Sequence, residues 1–201
     1  MGVREKSIME SEAKFHEHHH FEKATEALKQ EHRIIERVLG ALEKLTQSRG
    51  DIQLELWEKA IDFIRNFADK CHHLKEEGLL FPTLEEHGIP REGGPIGMML
   101  FEHEEGRGYV RAMAAALSLA KRDPQAAKTT LVENARAYLR LLREHIAKED
   151  QVLFEMVDAA LTPEEQKKLL KEFDEHEEKE LGAGVHEKYL AIAKELESRL
   201  G

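Results

Sequence analysis

The chain has 201 residues, of which 41% are hydrophobic and 35% are charged, and its formal net charge is −10 at pH 7. This length allows one domain with a substantial core plus short extensions, and the acidic excess argues against nucleic acid or an anionic membrane surface as a partner. Cys71 is the single cysteine, which excludes an intramolecular disulfide and a cysteine-rich metal site. With no bilayer-length apolar run and no signal-peptide core, we expect a cytoplasmic protein.

The N-terminal stretch is polar and rich in histidine. The chain contains 12 histidines, and four of them, His16, His18, His19 and His20, crowd this stretch, which shows little periodicity. We expect residues 1–22 to form a mobile tail whose histidines are solvated, with weak metal capture as the alternative reading.

Helical periodicity dominates the rest of the chain, and no segment alternates as a strand would. The first predicted helix runs from about Thr25 to Thr46. Its apolar stripe consists of Leu28, Ile35, Leu39 and Leu42. A second helix is predicted to begin after Asp51, a plausible N-cap, and to end near His87. Pro82 is expected to end or kink that helix, because proline lacks the backbone donor and clashes one turn back.

Two further long helices are predicted over residues 95–122 and 124–160. Both begin with a proline, which is tolerated at the first helical position. Four long helices joined by short loops predict an all-α protein, specifically an antiparallel up-down-up-down four-helix bundle over residues 23–160.

A C-terminal helical segment, residues 161–201, follows the predicted bundle. Thr162 and Glu165 form a predicted capping box, and glycines interrupt the segment at 182–184. We expect it to pack on the bundle rather than remain a mobile tail, because it carries apolar side chains that require burial. These are Phe173, Leu181, Val185, Tyr189, Ile192 and Leu196.

One chemical pattern occurs twice in the predicted bundle. His72 and Glu76 on the second helix, and His145 and Glu149 on the fourth, are each four residues apart and precede an apolar run. Positions i and i+4 lie on one helical face with Cβ atoms about 6 Å apart. Each pair can therefore present an imidazole and a carboxylate to the same metal ion, or to two adjacent ones.

The first and third helices also direct one histidine each toward the predicted interior, namely His32 and His103. A lone inward histidine is usually a hydrogen-bonded core residue, so only the set of four histidines and two glutamates indicates a metal. Burying two carboxylates without a partner costs several kcal/mol each, and cations would compensate for that cost. Nitrogen and oxygen ligands without thiolate favour iron, manganese or zinc over copper(I), and two carboxylates able to bridge suggest a dinuclear centre.

The order H…HxxxE…H…HxxxE is carried by residues 30–32, 72–82, 102–106 and 145–154. On these motifs the chain, over about residues 24–160, resembles the hemerythrin-like (HHE cation-binding) family. The resemblance implies a four-helix bundle that holds two iron ions in a non-haem, oxo- or hydroxo-bridged di-iron site. It implies that four histidines are terminal iron ligands, namely His32, His72, His103 and His145. It implies that Glu76 and Glu149 are the bridging carboxylates.

The chain also departs from the pattern of oxygen-carrying hemerythrins. Those proteins have a second histidine one turn after the third-helix histidine, where this chain has Arg107. They use an aspartate five residues after the last histidine, a spacing that Asp150 occupies, but Glu149 fits the hemerythrin-like pattern better. His73 and Glu77, each one residue further along the chain, are alternative ligands. We rank them lower because on an α-helix they would face about 100° away from His72 and Glu76.

His186 lies beyond the predicted four-helix core, just after the glycine-rich break. That break would let the segment turn back onto the site, so His186 is a candidate seventh metal ligand or gate, with a surface histidine as the alternative. Tyr109 and Tyr138 are interpreted as core aromatics, with hydrogen bonding to the site as the alternative.

The resemblance implies a protein that binds or reacts with oxygen, nitric oxide or hydrogen peroxide in oxygen, redox or nitrosative stress handling. A peroxide-decomposing or nitric-oxide-linked oxidoreductase activity stays open. The alternative is an iron sensor or storage protein without turnover, and a metal-free interaction module is disfavoured because of the buried Glu and His. The expected partner is a small-molecule ligand, with no nucleic acid or membrane, and the protein is expected to be a monomer or dimer with an unidentified redox partner.

Overall fold

The computed structural model describes residues 21–180, 182 and 184–200. The predicted tail histidines at positions 16 and 18–20, and Leu181, for which burial is predicted, lie outside the described residues. The described part of the chain is helical and contains no strand. Among its helices, none combines the length and apolar composition needed to cross a membrane.

Four long helices form the bundle, and two more follow. Helix α1 spans Ala24–Gln47 and α3 spans Pro95–Leu119. Helix α2, residues 54–86, consists of α-helical Leu54–Phe63, π-helical Ile64–His73 and Glu76–Leu80, and α-helical Phe81–Glu86. Helix α4, residues 124–160, consists of α-helical Pro124–Lys148, π-helical Glu149–Leu153 and α-helical Phe154–Ala160. Helices α5 and α6 span Pro163–Glu180 and Val185–Leu200.

The ends of the helices agree with the sequence except at α2. The capping box is confirmed, because the Thr162 N–H donates to Glu165 Oε2 at 2.8 Å and the Glu165 N–H donates to Thr162 Oγ1 at 3.3 Å. The prediction for Asp51 is wrong, since α2 begins after Gln53 and Asp51 is exposed. Pro82 does not end α2. It occupies the first turn of the α-helical segment that follows a π-helical one, where the missing donor is tolerated.

Paired side chains establish the direction of α1 and α4. Near the start of α1, the Thr25 hydroxyl donates to Asp158 at 2.7 Å. Near its end, Glu43 accepts a hydrogen bond from Arg143 at 2.7 Å. The residue numbers of the α4 partners fall as those of α1 rise, so these two helices are antiparallel. The all-α helical bundle predicted from the sequence is confirmed.

Two apolar clusters fill the bundle, one on each side of a buried polar layer. Along α1, Leu28 belongs to one cluster and Ile35 to the other. Between them, the buried polar residues Glu31 and His32 belong to neither cluster. A polar layer held between two apolar clusters is shielded from water at both ends, which strengthens every electrostatic interaction within it.

The C-terminal helices pack on this core. Phe173 of α5 is fully buried in one apolar cluster, and Tyr189 and Leu196 of α6 are buried in the other. Val185 and Ile192 are partly buried against the same cluster as Tyr189. The five described apolar side chains that predict docking therefore lie in the core or against it.

Candidate metal centre

The polar layer collects side chains from all four bundle helices. Every member is at most 2% exposed. The members are His32 of α1, His72 and Glu76 of α2, His103 of α3, and His145 and Glu149 of α4. The structure thus brings together six of the seven side chains that the sequence predicts as metal ligands.

Glu149 faces two imidazoles that lie on opposite sides of it. Its Oε2 atom lies 3.2 Å from Nε2 of His32, and its Oε1 atom lies 3.2 Å from Nε2 of His145. The His32 ring in turn lies against the His72 ring, with centroids 4.5 Å apart. One carboxylate therefore presents one oxygen to each of two separate imidazole groups.

Glu76 repeats this arrangement from the opposite helix. Its Oε1 atom lies 3.5 Å from Nε2 of His72, and its Oε2 atom lies 3.5 Å from Nε2 of His103. Nε2 of His103 lies 3.1 Å from Nε2 of His145. The two carboxylates thus span the same gap between the His32–His72 pair and the His103–His145 pair, which is the disposition that bridging carboxylates require.

His73 joins the polar layer, contrary to its low rank in the sequence analysis. Its side chain is buried, and its ring stacks on that of His103 with centroids 4.0 Å apart. His73, Glu76, His103 and His145 each offer one ligand atom, and these atoms all lie within 4.8 Å of one another. A second group with the same property comprises His32, His72, Glu76 and Glu149.

The π-helical turn explains why both neighbouring histidines face inward. The argument against His73 assumed an α-helix, in which adjacent side chains point about 100° apart. In the segment Ile64–His73 the backbone hydrogen bonds span five residues instead of four. The Leu74 N–H, for example, donates to the Asp69 carbonyl. A π-helical turn holds an additional residue, so the wider turn fits a second imidazole on the inward face.

His186 does not lie with the other predicted ligands. Its Nδ1 forms a hydrogen bond with Glu177 at 2.7 Å, and its ring packs edge-on against Phe67. Its nearest group of ligand-type atoms contains Cys71 and Glu177 rather than any glutamate of the polar layer. The structure thus separates His186 from the other six predicted ligands, contrary to the prediction, and brings His73 together with Glu76, His103 and His145 instead. The α6 helix carries His186 against α2 on the outside of the bundle.

A ring of outer carboxylates orients the four predicted histidine ligands. In every case the histidine Nδ1 atom hydrogen-bonds a carboxylate from the preceding helix around the bundle. The pairs are His72 with Glu31 at 2.8 Å, His103 with Glu77 at 2.7 Å, His145 with Glu102 at 2.9 Å and His32 with Asp150 at 2.7 Å. An Nδ1–H that donates to a carboxylate leaves the lone pair on Nε2, which is the nitrogen that faces the interior.

Each outer carboxylate also contacts a cation from the same helix as its histidine. The contacts are Glu31 with Lys75 at 2.6 Å, Glu77 with Arg107 at 2.7 Å, and Glu102 with Lys148 and Asp150 with Arg33 in short ion pairs. Arg107, which stands where oxygen carriers have a histidine, thus anchors the carboxylate that orients His103. These cations balance the negative charge that surrounds the imidazoles.

Sequence reasoning missed the outer carboxylates as a set. Each of them is adjacent in the chain to a residue of the polar layer: Glu31 precedes His32, Glu77 follows Glu76, Glu102 precedes His103 and Asp150 follows Glu149. That adjacency was a usable signal, because neighbours of inward residues lie at the edge of the helix interface. Which histidine each one reaches depends on the order of helices around the bundle.

Several polar atoms of the layer have no hydrogen-bond partner among the described residues. They are Nε2 of His32 and His72, Nδ1 of His73, and both carboxylate oxygens of Glu76 and of Glu149. Buried polar atoms are almost always hydrogen-bonded, and an unpaired buried carboxylate costs several kcal/mol. His73 Nδ1 lies 3.7 Å from the Asp69 carboxylate, and the other atoms face one another across the layer. The donor set therefore fits metal cations, which would satisfy the inner imidazoles and both glutamates at once.

The charges of the two inner glutamates differ in the metal-free protein. Burial and then the neighbouring Glu149 carboxylate raise the pKa of Glu76 well above its ordinary value. Burial acts in the same sense on Glu149, but the nearby His145 and His32 outweigh it and lower its pKa. Burial alone would lower the pKa of His145, and the Glu149 and Glu102 carboxylates raise it to about 9 instead. One proton thus remains on Glu76 where two carboxylates cannot both ionise.

Comparisons with known proteins concern the bundle as a whole. The family model of the hemerythrin HHE cation-binding domain matches residues 23–157. An uncharacterized protein of Mycobacterium bovis and uncharacterized proteins of two strains of Mycobacterium tuberculosis are each 26% identical over 181 residues, covering 89% of this chain and 70% of the relative. No solved structure matches the chain significantly.

Proposed function

The chain belongs to the hemerythrin HHE cation-binding family, and from that premise we propose that it is a non-haem di-iron protein that binds or reacts with oxygen, nitric oxide or hydrogen peroxide. One observation carries the proposal: Glu76 and Glu149 each present one oxygen to each of two imidazole groups. Two carboxylates placed in this way can be shared by two cations that lie side by side.

The residues divide into two sets of ligands. One ion would be held by His32 and His72, and the other by His73, His103 and His145, with Glu76 and Glu149 shared. All donors are nitrogen or oxygen and none is sulfur, which favours iron, manganese or zinc. Iron is the metal that this family usually binds. The two sets differ by one imidazole, so the two metal positions are chemically distinct.

The chain's own residues prepare the site for small ligands. Bound iron supplies redox chemistry and Lewis acidity toward a diatomic or peroxidic ligand. The outer carboxylates fix the histidine tautomers, so that Nε2 faces inward before any metal arrives. The apolar clusters on both sides of the layer exclude bulk water from it. The bundle thus holds the donors rigidly on helices rather than on mobile loops.

Elemental analysis and visible spectroscopy of purified, iron-replete protein test the proposal. We expect two irons per chain and charge-transfer absorption that changes when azide, nitric oxide or hydrogen peroxide is added. Catalytic loss of peroxide would identify an enzyme, and stoichiometric binding alone would identify a sensor or store. Protein that contains no more than trace metal after anaerobic loading with Fe(II) would contradict the proposal.

Replacing His73 with alanine is expected to lower the iron content from two ions per chain to about one. The substitution removes one of the three imidazoles that would hold one ion. The ligand set of the other ion, which contains His32 and His72, stays complete. His186→Ala is the matched control, because it also removes a buried histidine but one that contacts Glu177 instead of the polar layer. We expect this control to retain two irons. Equal iron content in the two variants would place His73 outside the ligand set.

A further inference from the structure

A second cluster of ligand-type side chains lies outside the polar layer, where the C-terminal helices pack on α2. Cys71 of α2, Glu177 of α5 and His186 of α6 each offer one ligand atom, and these atoms all lie within 4.8 Å of one another. None of the three belongs to the ligand sets of the two proposed iron positions. The cluster is therefore a separate group of one sulfur, one oxygen and one nitrogen donor.

The three donors come from three helices that the fold brings together. The Cys71 thiol, in the π-helical part of α2, donates to Glu177 Oε2 at 3.5 Å. The other oxygen of Glu177 forms a hydrogen bond with Nδ1 of His186 at 2.7 Å. Between α5 and α6, Gly182 and Gly184 have φ angles of 82° and 80°, a left-handed conformation that glycine adopts without strain. The turn at these glycines lets α6 place His186 beside Glu177.

The cluster is shielded from bulk water but reaches the surface through one carboxylate. Cys71 is fully buried and His186 is 4% exposed, whereas the Glu177 side chain is 16% exposed. The His186 ring packs edge-on against the fully buried Phe67. Burial strengthens the attraction between a cation and its ligands, and the partly exposed carboxylate provides an entry path from solvent.

The spacing of the donors suits one small divalent cation. Zinc lies about 2.3 Å from a thiolate and about 2.0–2.2 Å from an imidazole or a carboxylate, so tetrahedrally arranged ligand atoms are roughly 3.3–3.8 Å apart. The distance of 3.5 Å between Cys71 Sγ and Glu177 Oε2 lies within this range. Small side-chain adjustments would bring the remaining distances, all under 4.8 Å, into the same range.

The charges around the cluster also suit a divalent cation. The Lys75 ammonium lies 2.8 Å from Glu177 and 2.6 Å from Glu31. A metal ion that binds a thiol replaces its proton, so the Cys71 thiolate and the two carboxylates would then carry three negative charges against one positive charge on Lys75. A divalent ion brings the total to zero. Lys75 keeps Glu31 as its partner if the ion takes over Glu177.

We propose that Cys71, Glu177 and His186 form a mononuclear zinc site that joins α5 and α6 to α2. Thiolate and imidazole ligands select zinc over magnesium or calcium, and the carboxylate favours zinc over copper(I). A water molecule would complete the tetrahedron. The proposal goes beyond the di-iron function, because it needs neither iron nor a small ligand in the polar layer. It also gives His186 a metal-binding role at a second position.

X-ray absorption at the zinc edge tests the site in the full-length, iron-loaded protein. The sample receives one equivalent of zinc, and unbound metal is then removed. Cys71 is the single cysteine, so a zinc–thiolate distance can arise only at this cluster. We expect one zinc per chain with one sulfur at about 2.3 Å and the remaining ligands at about 2.0–2.2 Å. Zinc surrounded by nitrogen and oxygen alone, or no retained zinc, would overturn the proposal.

Substitutions test the individual ligands through the zinc Kd, measured by competition with a chelator. Cys71→Ser and His186→Ala should each raise that Kd at least about tenfold, since even residues that only support metal ligands contribute this much. Both variants should retain two irons. His87→Ala, which removes an exposed histidine outside the cluster, should bind zinc like the wild type.

The outcomes separate this inference from the proposed function. A wild-type zinc Kd in both Cys71→Ser and His186→Ala would overturn the zinc site and leave the di-iron proposal standing. A zinc–sulfur distance in wild-type protein that fails to load iron would contradict the di-iron proposal and support the zinc site. If Cys71→Ser does not fold, the zinc–sulfur distance in the wild type decides the question.

Discussion

Glu76→Gln is expected to abolish binding of both metal ions while leaving the metal-free fold at least as stable as the wild type. Glu76 is fully buried, and its raised pKa keeps it protonated in the metal-free protein. Glutamine has nearly the shape of a protonated carboxyl group, so packing is preserved. An amide cannot, however, bridge two cations as an ionised carboxylate can. The variant thus separates a metal-binding role from a structural one.

Thermal melting with and without Fe(II), under anaerobic conditions, measures this difference. Metal at about 100 times its Kd should stabilise the wild type by about 2.7 kcal/mol, which raises Tm by about 5–10 °C for a chain of this size. The Tm of Glu76→Gln should not respond to Fe(II). Glu58→Gln, an exposed substitution on the same helix, should respond like the wild type. Two irons per chain in Glu76→Gln would sink the assignment of Glu76 as a bridge.

Lys75→Met is expected to destabilise the protein by about 3–5 kcal/mol, the usual cost of removing one partner from a buried ion pair. The Lys75 side chain is fully buried, and its ammonium lies 2.6 Å from Glu31 Oε1 and 2.8 Å from Glu177 Oε2. Burial would lower the pKa of Lys75, but the neighbouring Cys71, Glu31 and Glu177 raise it, so the cation persists. Methionine fills the space and leaves the buried Glu31 and the largely buried Glu177 without this cation.

Thermal or urea unfolding of the metal-free protein checks this prediction. At about 2–4 °C per kcal/mol for a chain of this length, we expect Tm to fall by roughly 10 °C. Adding Glu177→Gln to Lys75→Met should restore part of the loss, because it removes one of the two uncompensated charges. Lys70→Met, at an exposed position one π-turn earlier, is the control. A Tm change no larger than that of the control would mean that Lys75 does not stabilise the fold.

The same ion pairs connect the C-terminal helices to the polar layer. Lys75 of α2 contacts Glu31, which orients His72, and also Glu177 of α5, which bonds His186 of α6. Lys75→Met should therefore also alter the visible spectrum of the iron-loaded protein. The C-terminal extension thus contributes charge to the support of the candidate site.

Much of the fold follows from periodicity in the sequence. The four long helices, the capping box at Thr162 and the helical C-terminal extension were all predictable, because apolar stripes and capping residues act over a few neighbouring positions. Asp51 shows the limit of this reasoning. It is a good N-cap residue by type, yet the first intrahelical hydrogen bond runs from the Trp57 N–H to the Gln53 carbonyl, two residues later. Residue type alone places a helix end only to within one or two residues.

The sequence by itself determined that six acidic and imidazole side chains share the interior of one helical bundle, since spacing along an α-helix fixes the direction of each side chain. Only the tertiary structure decided between His73 and His186. His73 enters the layer because α2 widens into a π-helix there, which no spacing rule for α-helices anticipates. The ring of outer carboxylates likewise depended on which helices are neighbours. Side-chain direction is a local property of the chain, whereas helix register and helix order are settled by packing.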